Sequence, residues 1–140
     1  IVILISLIMI YLRLDIGLSK VSREENIFIQ LPFSVYLGWI TVATIANVVS
    51  LLVSLRWEGF GVSEVTWTII MISTAVLLTL VNIQTRRDVG YVGVIVWALA
   101  GIIFKQIEIQ AIVVTAGLGI VILVSFLGYT LRSRNSIRTR

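Results

Sequence analysis

Between Phe33 and Leu55 the chain runs for 23 residues without a formal charge. A helix needs about 20 apolar residues to cross a hydrocarbon core of about 30 Å, so this run sets the fold class. Inside a bilayer the backbone must satisfy its own hydrogen bonds, which a helix does within one segment. Within the run, Tyr36, Trp39, Ala43, Asn47, Ser50 and Ser54 recur at steps of three or four, the spacing of one helix face. Val35, Val42, Ile45, Val49 and Leu52 occupy the other side and suit lipid. A side-chain amide in hydrocarbon is costly without a partner. Asn47 is therefore expected to point into a helix bundle or a polar cavity, and its face is the expected seat of function.

The rest of the chain agrees. With 59% hydrophobic and 13% charged residues and a mean hydropathy of +1.08, the 140 residues do not have the composition of a soluble domain. The net charge of +4 is no nucleic-acid footprint, because most charges sit between or beyond the apolar runs. Cysteine and histidine are both absent. Disulfides, thiolate metal sites, cysteine catalysis and histidine-ligated haem are excluded, and a zinc or copper site has little to build on.

The expected architecture is an all-α polytopic transmembrane helix bundle, with four full spans plus a partial N-terminal one. Residues 1–140 form a single transmembrane domain. The opening run, about 1–12, is too short to cross and reads as the second half of a span, so the chain reads as a fragment of a longer protein. A polar connection from Arg13 to Leu31 interleaves charges with Ile16, Leu18 and Val21, as a short interfacial helix would. Full spans are expected at about 33–55, 62–83, 89–104 and 109–131, followed by a basic tail at 132–140. Ser63 is a good N-cap for the second full span. Gly90, Gly93, Trp97, Ala100 and Gly101 share one side of the third and allow close approach of a neighbour. Ala111, Thr115 and Gly119 are small residues at four-residue spacing in the last, and they mark packing.

Orientation follows from the cations. If every run crosses once, nine Lys and Arg residues fall on the side of the C-terminus and two on the other. The positive-inside rule then puts the C-terminus in the cytoplasm. A prokaryotic plasma membrane is the expected location.

The segment Tyr36-Leu37-Gly38-Trp39-Ile40-Thr41-Val42-Ala43-Thr44-Ile45-Ala46-Asn47, with Pro32 ahead of it, resembles the last-helix signature of the tryptophan-rich sensory protein family (TspO/MBR, the translocator-protein family). The signature reads approximately Tyr-Leu-x-Trp-x-x-x-Ala-x-x-x-Asn. The resemblance implies an α-helical membrane protein whose relatives bind tetrapyrroles, and in some cases sterols, inside a five-helix bundle. It would place Trp39 and Ala43 toward a ligand pocket, with Tyr36 beside them and Asn47 bracing the helix. Three apolar runs follow the matched helix, where the core family ends.

The ligand-binding residues expected are therefore Tyr36, Trp39, Ala43 and Asn47. Plain helix packing explains the same face, and the two roles can coexist. Trp57, Trp67 and Trp97 suit interfacial anchoring or packing, Glu58 and Glu64 suit solvated loop positions, and Lys105 suits snorkelling at a helix end. No stretch supplies a nucleophile with its base, a phosphate loop or a metal cluster, so no enzyme is expected. The leading reading is a sensory or ligand-binding membrane protein taking a hydrophobic planar molecule such as a tetrapyrrole. A transporter or permease component, or a structural membrane subunit, are the alternatives. Expected partners are membrane lipids, a hydrophobic small molecule and a second copy of the chain, with no nucleic acid.

Overall fold

In a computed structural model the chain is helical throughout its ordered elements, with no strand among the described residues. The described residues are 2–16, 18, 23–54 and 61–138, and the side chains at 23, 26, 52, 53 and 134–138 are not among them. Residues 55–60, with Trp57 and Glu58, and much of the expected interfacial connection therefore lie outside them.

Helix α1 is Val2–Arg13, twelve residues long. A short helix α2, Arg23–Glu25, leads through a π-helical turn, Asn26–Gln30, into α3, Leu31–Ser54. The helical path thus begins before Pro32 rather than at it. Proline lacks an N–H and clashes with the carbonyl four residues back, and a wider turn ahead of it relieves both problems.

Helix α4 is Glu64–Thr85, and the expected cap is in place. The Ser63 side chain accepts the Thr66 N–H at 3.2 Å, while Glu64 adds a negative charge in the first turn. Arg86 and Arg87 end α4 by donating their N–H groups to the Asn82 and Ile83 carbonyls, and Arg87 takes φ +54 to turn the chain back. Asp88 then caps α5, Val89–Lys105, accepting the Tyr91 N–H at 3.2 Å. The last helix, α6, is Gln110–Arg138. It continues through most of the expected tail, because no glycine or proline follows Gly128 to stop it.

Among the described residues three stretches are long and apolar enough to cross a membrane: Ile27–Leu51, Glu64–Thr85 and Gln110–Ser133. Helices α1 and α5 are shorter apolar helices. At 1.5 Å per residue, α5 is about 25 Å long. It nonetheless holds the middle of the bundle, packing against α3, α4 and α6, while α4 and α6 pack against each other and α1 lies on α3. Ile83, Ile95, Ala116 and Leu123 are almost wholly buried where α4, α5 and α6 meet.

Hydroxyls in these helices return to their own backbone. Thr79, fully buried, donates to the Ala75 carbonyl at 2.7 Å, and Thr41 donates to the Leu37 carbonyl at 2.8 Å. Such a bond makes Thr79 tolerable in an apolar interior without a partner helix, while Thr41 also hydrogen-bonds with the Tyr91 hydroxyl of α5.

Helices α3 and α5 run close because glycines line their contact. A Cβ on Gly38 would sit 3.0 Å from Val94 Cβ and 3.3 Å from the Tyr91 carbonyl oxygen, and one on Gly90 would sit 3.0 Å from Ser34 Cβ. Gly38→Leu is expected to cost about 1–3 kcal/mol by overpacking. Gly128→Leu on α6, where a Cβ meets nothing within 4 Å, is expected to stay within about 0.5 kcal/mol of wild type. Thermal melts in detergent followed by circular dichroism check both, and equal melts would refute the close contact.

Candidate functional site

An open groove of about 650 Å³ lies between α3 and α5. Leu31, Pro32, Tyr36 and Trp39 of α3 line it on one side, and Gly93 and Trp97 of α5 on the other. The two indoles face each other with ring centroids 5.7 Å apart and planes inclined at 42°. That spacing lies in the range of favourable aromatic pairs. Neither ring is consumed by the pairing, since Trp39 remains 48% and Trp97 65% exposed. Gly93 forms an open floor, where a Cβ would meet nothing within 4 Å. No charged side chain lines the groove.

The four expected site residues part company here. Tyr36 and Trp39 line the groove, whereas Ala43 and Asn47 do not. Ala43 is half-buried farther along α3, and Asn47 is exposed. The expectation that Asn47 points into the bundle is corrected by this placement. The buried residues of the helix are Ser34, Leu37, Gly38 and Thr41, and at about 100° per residue they lie nearly opposite the Tyr36–Trp39–Ala43–Asn47 stripe. The set expected to face lipid is corrected in part. Val35 and Val49 are exposed, but Val35 lines the groove, while Val42 and Ile45 are half-buried and Val42 packs on the core. The physical reason is that α5 approaches through Gly38, and close approach of backbones outweighs polarity in choosing the inward face.

Trp97 is a groove residue that the sequence reading left as an anchor. Its position four residues beyond Gly93 was visible, but its partner on α3 was not. Lys105 is exposed at the end of α5, as snorkelling requires.

A second cluster, which no sequence motif announced, braces the Leu31–Val89 end of the same helices. The Tyr11 hydroxyl donates to Asp88 Oδ2 at 2.7 Å and accepts from Asn82 Nδ2 at 3.1 Å. The Arg86 guanidinium lies over the Tyr11 ring, 5.0 Å from its centroid, and donates to the Ile16 carbonyl at 3.0 Å. The other oxygen of Asp88 caps α5. One buried carboxylate therefore ties α1 to the α4–α5 turn and fixes where α5 begins. Among the described residues no group of His, Cys, Asp and Glu is placed to hold a metal.

Apolar helices long enough to span a bilayer, packed about a short central helix and opening an aromatic groove, define an α-helical integral membrane protein. A sequence profile described as TSPO-like protein matches residues 1–129. The chain belongs to the TSPO-like protein family. The match extends through the three helices after the Tyr36–Asn47 segment, so these lie inside the family's extent and not beyond its end. No curated protein and no solved structure matches the chain.

Removing one member of the Tyr11 cluster strands the others. Tyr11→Phe is expected to destabilise the protein by about 1–3 kcal/mol, the usual cost of a buried polar group left unpaired. Asp88→Ala is expected to cost at least as much, because the cap of α5 goes with it. A double-mutant cycle on detergent melts should give a coupling of about 1 kcal/mol or more between the two positions. Strict additivity would mean that the contact contributes nothing.

Proposed function

We infer that this TspO-type membrane protein binds a hydrophobic, planar molecule, with a tetrapyrrole as the leading candidate, in the groove between α3 and α5. The observation that carries the reading is the facing Trp39–Trp97 pair above the open floor at Gly93. A flat conjugated ring gains dispersion and quadrupole contacts on an indole face, and a floor without side chains leaves room for its edge. Tyr36 supplies a hydroxyl at the rim, suited to one polar substituent. Ala43 and Asn47, farther along α3, act on this site at most through the position of the helix.

Binding is non-catalytic in this reading, in which the Tyr36 hydroxyl serves recognition and has no acid–base partner among the lining residues. The whole chain acts as one transmembrane unit. Helix α5 crosses with α3, α4 and α6, its shortness matched by tilt or local thinning of the bilayer. The C-terminus then lies in the cytoplasm with the Arg86–Arg87 turn.

Titrating the detergent-purified protein with a free-base porphyrin, with tryptophan quenching corrected for inner-filter absorption, tests the site. Wild type and Gly128→Leu are expected to saturate alike. Gly93→Leu fills the floor and is expected to weaken binding about tenfold or more, as a built-in clash does. Trp39→Leu and Trp97→Leu should each weaken it as well, read by porphyrin absorbance because a fluorophore is lost. Linear, unsaturable quenching shared by all variants would sink the proposal.

Topology has its own test in a protein without native cysteine. A membrane-impermeant maleimide should label Val62→Cys in intact cells, and Ser133→Cys only after permeabilisation. The reverse pattern would invert the orientation.

A further inference from the structure

A second groove, of about 460 Å³, runs between α4 and α6. Leu77, Leu78 and Val81 of α4 and Ile122 and Phe126 of α6 line it, with Gln84 as the polar member. Gly119 lies against Val76, and Gln84 shares the groove with Phe126, so the two helices run in the same direction. The trough therefore leads toward the Arg86–Arg87 turn at the end of α4. Along α6 the same face continues from Phe126 to Tyr129, which is exposed, and Arg132 is exposed one turn further on.

The two arginines of the turn differ. Arg86 is committed inside the fold, over the Tyr11 ring and on the Ile16 carbonyl. Arg87 is exposed, and among the described residues no carboxylate or carbonyl takes up its guanidinium. Nor does the Gln84 amide have a partner among them. An apolar trough that ends at an uncommitted guanidinium, an amide and a phenol has the polarity profile of a phospholipid. A free guanidinium beside it selects for a headgroup of net negative charge.

We propose that the α4–α6 groove holds an anionic phospholipid from the leaflet on the Arg87 side, its phosphate at Arg87 and an acyl chain along Leu77, Val81 and Phe126. From Leu77 to Gln84 the trough extends about 10 Å along α4, within the roughly 15 Å that the chains of one leaflet span. The guanidinium donates to phosphate oxygens as a fork, and the Gln84 NH₂ suits the ester carbonyl just below the headgroup. Tyr129 stands at headgroup depth, where aromatic rings with one polar tip are favoured. The site is separate from the α3–α5 groove, and it forms whichever side of the membrane the turn faces.

Native mass spectrometry of the detergent-purified chain, titrated with phosphatidylglycerol and with phosphatidylcholine of identical acyl chains, tests the site. The first phosphatidylglycerol is expected to bind about fivefold more tightly than the first phosphatidylcholine, as one cation beside the headgroup gives. Arg87→Asn keeps a residue that accepts the positive φ of this position and should remove most of that preference. Arg13→Gln, an equal loss of charge on the helix that packs against α3, should leave it intact. Val81→Trp, at an exposed position, fills the trough and should weaken both lipids several-fold, with circular-dichroism melts near wild type. Should Arg87→Asn not fold, the wild-type preference and Val81→Trp decide. Equal affinity of wild type for the two lipids, equal losses in Arg87→Asn and Arg13→Gln, or binding untouched by Val81→Trp would each overturn the assignment. So would displacement of phosphatidylglycerol by millimolar inorganic phosphate, which would make this a site for a free anion.

Discussion

A buried carboxylate is stable only where its oxygens are satisfied, and at Asp88 both of them are. One caps the first turn of α5, and the other receives the Tyr11 hydroxyl. The cap sets the start of the helix that the rest of the bundle surrounds. The tyrosine docks α1 against the turn between α4 and α5, with Asn82 and Arg86 holding the ring from two sides. Because hydrogen bonds to charged groups in low dielectric are among the stronger ones, this small network controls more of the geometry than its size suggests. Everything downstream of it, including the register of α5 against α3, inherits that start point.

Register in turn determines the groove. Helices α3 and α5 meet at Gly38 and Gly90, where no Cβ fits without displacing a neighbour. Three residues beyond Gly90, at Gly93, the contact has opened and a Cβ would touch nothing. Two glycines of one helix therefore perform opposite roles, one admitting a neighbour and the other leaving a gap. The opening lies beside the Trp39–Trp97 pair, which lines it from both helices. A groove made this way needs no cavity in the core. It lies on the flank of the bundle, apolar and within reach of molecules dissolved in lipid.

Much of this was legible in the residues. The apolar runs marked the helices, and Ser63 marked the start of α4 through a local bond that needs no tertiary context. The Tyr36–Asn47 segment carried the family. Rotation of α3 about its axis was not legible, and the reason is physical. In water a polar stripe points out and an apolar one points in. In lipid both surroundings are apolar, so hydrophobic periodicity loses its power to say which face is inside, and a rule that sends every polar residue inward takes its place. That rule failed for Asn47, which is exposed. The Tyr11 cluster was illegible for a different reason, since Tyr11 and Asp88 stand 77 residues apart and neither belongs to a recognisable motif.

Small residues would have been the better guide to rotation. Gly38 lies on the buried face of α3, Gly90 meets Leu31 and Ser34, and Gly119 of α6 meets Val76 and Leu99. Each marks the side on which a neighbour arrives, because helix association in a bilayer rests on close packing when hydrophobic burial gives no net drive. Polar side chains then divide into two kinds. Thr79 bonds to its own helix and is indifferent to rotation. Asn47 is of another kind, since among the described residues its amide makes no bond to its own helix and it stands on the outward face of α3.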